Sequence, residues 1–69
     1  MSAIYAIKVR GHLGRTILQA FPQLDAERRG DCTMLRGLLS DQAALHGVLA
    51  QIEALGLELV EVRQLPVGR

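Results

Sequence analysis

The chain has no tryptophan, one tyrosine, one phenylalanine, two prolines, one lysine and one cysteine. A lone cysteine, Cys32, excludes a disulfide-stapled scaffold. No apolar run approaches the roughly 18 residues that a membrane-spanning helix requires. The formal net charge is only +1, so counterion release gives little drive towards nucleic acid. No stretch is low in complexity, and nothing repeats at a period of 20–50 residues. The apolar stretch before Lys8 is too short for a secretion signal and has no basic region ahead of it. A cytoplasmic protein with a reduced thiol is therefore expected.

What remains is a chain of 69 residues with 49% hydrophobic side chains, too apolar for disorder and too short for two domains. One domain over 1–69, ordered over about 3–65, is expected. The bias towards Leu, Ala, Gly and Arg is compatible with a GC-rich bacterial genome. A domain of this size buries only about 60% of the surface that its unfolded chain exposes. Without disulfides or a metal, self-association is the cheapest extra source of burial, and a dimer is the expected state.

Residues 3–10 alternate, with Tyr5, Ile7 and Val9 on one side and Ile4, Ala6, Lys8 and Arg10 on the other. That is a strand buried on one face. Leu13, Ile17, Ala20 and Phe21 have helical spacing, and Pro22 stops that short helix near Ala20. Gly30-Asp31 is a Gly-first turn between two strand-like runs. It sets the register Arg29 opposite Cys32, Glu27 opposite Met34, Asp25 opposite Arg36, Ala26 opposite Leu35 and Leu24 opposite Gly37. Ser40 is the expected N-cap of a helix over 41–55, with Asp41 in its first turn and Gly56 as its left-handed terminator. Leu57–Leu65 is the last strand, with Val60 and Val62 inward and Leu59, Glu61 and Arg63 outward. Pro66 ends it, and Val67-Gly68-Arg69 is expected to be a loose tail.

The order βαββαβ with right-handed crossovers predicts an α+β, ferredoxin-like fold. It has a four-stranded antiparallel sheet of order 4-1-3-2 with both helices on one face. The predicted core joins Tyr5, Ile7, Val9, Leu24, Leu35, Val60 and Val62 to Ile17, Phe21, Leu45, Val48, Leu49 and Ile52.

Two surfaces follow from that arrangement. The open sheet face brings together Ile4, Ala6, Met34 and Leu59 with Lys8, Arg10, Arg36, Arg63 and Glu61. It reads as a solvated face, as a contact with another subunit, or as a weakly basic nucleic-acid surface. RNA-reading sheets stack bases on aromatic residues of the central strands, whereas Tyr5 points inward here. The second surface is the outer side of the long helix, where Ala43, Gly47, Ala50 and Ala54 are small and uncharged. Gly47 there either admits a close partner or makes room for the first helix.

Gly11-His12-Leu13-Gly14-Arg15-Thr16 stands at a strand-to-helix turn. Gly11, His12, Gly14 and Arg15 are candidate anion-site residues by residue type, and a plain tight turn is the competing reading. His12, His46 and Cys32 have no ligand spacing, so no metal or other cofactor is expected. No catalytic constellation is present, so no enzyme is expected.

Ile7-Lys8-Val9-Arg10-Gly11 running into Gly14-Arg15-Thr16-Ile17-Leu18, with Leu45-His46-Gly47-Val48-Leu49 and Leu55 through Val62, resembles an ACT-like regulatory domain. The chain also looks like small stand-alone bacterial proteins of this fold, with Asp41 through His46-Gly47 as the most similar stretch. The ACT resemblance implies binding of an amino acid or similar effector at Gly11, His12 and Gly14. His12 and Leu13 stand where that family usually has Asp and Pro. The leading reading is a non-enzymatic module that self-associates through Ile4, Ala6, Met34 and Leu59 of the open sheet face or through Ala43, Gly47, Ala50 and Ala54 of the smooth helix, or that meets a protein partner. The alternatives are an ACT-like sensor of an amino acid or anion and, more weakly, an RNA-binding sheet.

Overall fold

The computed structural model describes residues 3–66; the expected tail Val67-Gly68-Arg69 lies outside the described residues. The elements are β1 (Ala3–Arg10), α1 (Arg15–Leu18), β2 (Asp25–Arg29), β3 (Cys32–Leu39), α2 (Gln42–Ala54) and β4 (Leu59–Leu65). The sheet runs β2-β3-β1-β4, which is 4-1-3-2 read from the opposite edge, and every neighbouring pair is antiparallel. The chain is thus a small α+β domain with one open four-stranded sheet and two helices.

The hairpin register is the one its turn dictates. Asp25 faces Arg36, Ala26 faces Leu35, Glu27 faces Met34 and Arg29 faces Cys32. Gly30 has φ 61°, the positive value that the first turn position needs. Asp25 and Arg36 are register partners, but their charged groups are not among the ion pairs within 4 Å.

Side chains of Ile7, Val9 and Leu35 from the sheet meet Phe21 and Leu24 of the connection and Val48 and Ile52 of α2 in one core. Ile17 and Leu18 of α1 pack against the same cluster, so both helices cover one sheet face. Leu13, from the helical stripe, and Leu39 also belong to the core, although neither is in the predicted core set. Thr33 is buried with them: its hydroxyl donates to the Gly11 carbonyl at 2.7 Å and accepts from the Leu13 amide at 3.3 Å.

Three expectations are corrected. The α2 N-cap is Asp41, not Ser40; the Asp41 backbone is extended and its carboxylate accepts from the Ala44 amide at 2.8 Å. Val60 and Val62 are not core residues but are 43% and 37% exposed. Leu59 is not on the open face. Lys8 faces Glu61 while Val9 faces Leu59, so Val60 is an extra residue in a β-bulge. The bulge turns Leu59 to the helix side. There α1 is a single turn and α2 leans on β3, leaving β4 uncovered. Among the described residues no helix is long and apolar enough to cross a membrane.

Candidate functional site

The turn after β1 spends its polar groups on the hairpin. The Gly11 amide donates to the Asp31 carbonyl at 2.7 Å, and Thr33 occupies the Gly11 carbonyl and the Leu13 amide. Nε2 of His12 lies 2.8 Å from the Gly30 carbonyl, which can only accept, so Nε2 carries the proton. Arg10 reaches Glu58 at 3.1 Å and Asp31 at 3.4 Å, tying the same corner to the start of β4. Gly14 precedes α1 with no side-chain cap, and Arg15 is exposed. Gly11, with φ 94°, is the position in this turn that needs a glycine.

A cleft of about 480 Å³ opens between α2 and β4, floored by Ile52 and walled by Leu49, Leu57, Leu59, Ala50, His46 and Glu53. Its lining is mostly apolar, and its β4 wall continues into Val62 on the same side of the sheet. β4 is also an edge strand, paired with β1 on one side and, among the described residues, with nothing on the other. Of the five large hydrophobics that stand out in solvent among the described residues, Leu55, Leu59, Val60 and Val62 belong to this flank; Leu38 is the fifth. The opposite edge strand, β2, reads Asp-Ala-Glu-Arg-Arg and is exposed throughout, so it offers charge rather than apolar surface.

A model of a protein family described as a domain of unknown function (DUF8691) matches residues 4–63. The chain belongs to that family. No curated protein and no solved structure matches it.

The open face of this DUF8691 domain is a grid set by the registers. Arg36, Ala6 and Arg63 form one row across β3, β1 and β4; Met34, Lys8 and Glu61 form the next. Leu38, Ile4 and Leu65 make an apolar row at one end. Ile4 and Met34 are half-buried, and Ala6 is only 7% exposed although no helix covers it. So the expected patch of Ile4, Ala6, Met34 and Leu59 divides, with Leu59 lying on the other face.

Ala43, Gly47, Ala50 and Ala54 are all exposed on α2 of the DUF8691 domain. A β-carbon at Gly47 would meet nothing within 4 Å, so this glycine does not make room for α1. Ala50 alone of the four lines the α2–β4 cleft. His46 and Leu57 are cleft residues that sequence patterning missed, and Leu49, expected in the core, packs against it and also lines the cleft. The available signals were the edge position of the last strand and the brevity of the first helix, which together leave that corner uncovered.

Cys32 is buried and its thiol donates to Asp31 at 3.5 Å. Burial, reinforced by the Asp31 carboxylate, pushes the thiol's pKa up, which keeps it protonated and unreactive at neutral pH.

Proposed function

We propose that this ferredoxin-like domain is a non-enzymatic self-association module whose partner is a second copy of the chain, joined edge to edge through β4. The observation that carries this reading is an unpaired edge strand whose apolar side chains stand in solvent beside an apolar cleft. A bare hydrophobic edge is a pairing template, and soluble proteins normally blunt or cover one.

The charges select one register. Antiparallel partners place side chains on the same face only when their residue numbers sum to an even value. Pairing centred on Glu61 sets two carboxylates opposite each other, and pairing centred on Arg63 sets two guanidinium groups opposite each other. Pairing centred on Val62 sets each Glu61 against the Arg63 of the other copy. Glu61 and Arg63 already bond within one chain at 3.0 Å, so the pairing builds a four-residue ion network. The same centre brings Val62 against its equivalent on the helix side, and the two clefts flank the axis.

Light scattering over a dilution series tests this. The wild-type chain is expected to show twice the monomer mass at high concentration. Val62→Asp and Glu61→Arg should each lower that mass. The double swap Glu61→Arg with Arg63→Glu should restore it, because the opposite-charge pairs return. A monomer at all concentrations, or a dimer indifferent to Val62→Asp, overturns the reading.

A further inference from the structure

The open sheet face carries a second feature that edge pairing leaves exposed, since pairing widens the sheet rather than covering this face, although Glu61 and Arg63 are common to both. We propose that this face holds a small polyanion of the oligophosphate class, clamped by Arg36, Arg63 and Lys8 over the methyl group of Ala6.

The register places Arg36 and Arg63 on either side of Ala6. Neighbouring strands are about 4.8 Å apart, so the two arginine backbones are about 10 Å apart. Lys8 stands two residues further along β1, on the same side. These side chains border a hollow of about 280 Å³ in which four cations face a single carboxylate, Glu61. Arg29 and Arg63 each have a carboxylate neighbour, Glu27 at 3.4 Å and Glu61 at 3.0 Å. Lys8 and Arg36 form no ion pair among the described residues, although Glu61 and Asp25 are their register partners.

Like charges gathered on one face repel one another, and a bound anion removes that repulsion. Guanidinium forks match phosphate oxygens two at a time, while the ammonium acts as a point charge. Four cations against Glu61 leave a positive surplus at the hollow that suits a ligand with several negative charges, whereas a single carboxylate would leave charge uncompensated. The face presents no aromatic ring for a base to stack on, so the recognised chemistry is phosphate rather than nucleobase.

Calorimetric titration of the full chain with pyrophosphate and tripolyphosphate at low salt tests the site. The substitutions are placed away from β4, so that failure here and failure of edge pairing are told apart. Binding is expected to weaken with added salt. Each of Lys8→Gln and Arg36→Gln should weaken it about tenfold, the effect of losing one charged hydrogen-bonding partner. Ala6→Val keeps every charge but fills the floor, and it should weaken binding while light scattering still reports the wild-type mass. Arg15→Gln, in the separate Gly11–Arg15 turn, should bind as wild type does. Absence of binding by either probe, or unchanged binding in Lys8→Gln/Arg36→Gln, overturns the proposal. Tighter binding of a single-stranded RNA oligonucleotide than of tripolyphosphate would overturn the small-ligand assignment in favour of a nucleic-acid backbone.

Discussion

A β-carbon added at Gly37 would lie 2.6 Å from the Gln23 carbonyl oxygen and 2.8 Å from Leu24 Cδ2. Gly37→Ala must therefore force the entry to β2 away from β3, and a loss of about 1–3 kcal/mol is expected in urea unfolding. Gly47 is the opposite case. Its site is helical and open, so Gly47→Ala should stabilise the domain by about 1 kcal/mol. That substitution should leave the mass in solution unchanged, because the proposed pairing edge is elsewhere. Cys32 gives a pH test. Its folded pKa is raised, so its contribution is complete below the thiol's ordinary value of 9.0 and is lost as pH rises through the folded value. Between about pH 8 and pH 10 the wild-type chain should lose more stability than Cys32→Ala, read as the shift in urea midpoint. The Gly30 turn and the Gly56 helix terminator were legible from residue type alone, and both have positive φ. The closeness of Gly37 was not, because it depends on a contact between β3 and the segment leading into β2.

The elements were legible in proportion to how strongly each residue limits its own neighbourhood. The hairpin declared its register because a two-residue turn leaves one alignment that keeps the apolar side inward. Residue type alone starts the helix one residue early, because Ser40 and Asp41 are equally good caps by type and only backbone conformation chooses between them. Asp41→Ala should cost about 1 kcal/mol, and Ser40→Ala should stay within about 0.5 kcal/mol, both measured by thermal or urea unfolding. The phase slip in β4 was written in adjacent apolar residues. Leu57 and Leu59 keep one parity and Val60 and Val62 the other, and a bulge reconciles them. Uninterrupted alternation puts Leu59 on the open face, and the bulge moves it to the helix side. The candidate sites were less legible than the fold. The cleft arises from what α1 and α2 fail to cover, a property of lengths and angles rather than of any motif.

At the scale of the whole molecule, a domain this small has little burial in reserve, and its exposed Leu59, Val60 and Val62 are surface that a second copy can recover. If the folded chain pairs and the unfolded chain does not, the thermal midpoint must climb with concentration. A scan at several concentrations should show that rise in the wild-type chain and a flat response in Val62→Asp. The two edges of the sheet also differ in kind. β4 carries Leu59, Val60, Val62 and Leu65 beside Glu61 and Arg63 and is unpaired on its outer side among the described residues, whereas β2 is charged at Asp25, Glu27, Arg28 and Arg29 and fully exposed. In the language of polymer chemistry, each chain has one reactive end and one terminated end. Under the proposed pairing, coupling consumes both reactive ends and leaves a terminated strand at either margin, so growth would stop at two and no fibril would propagate through the sheet.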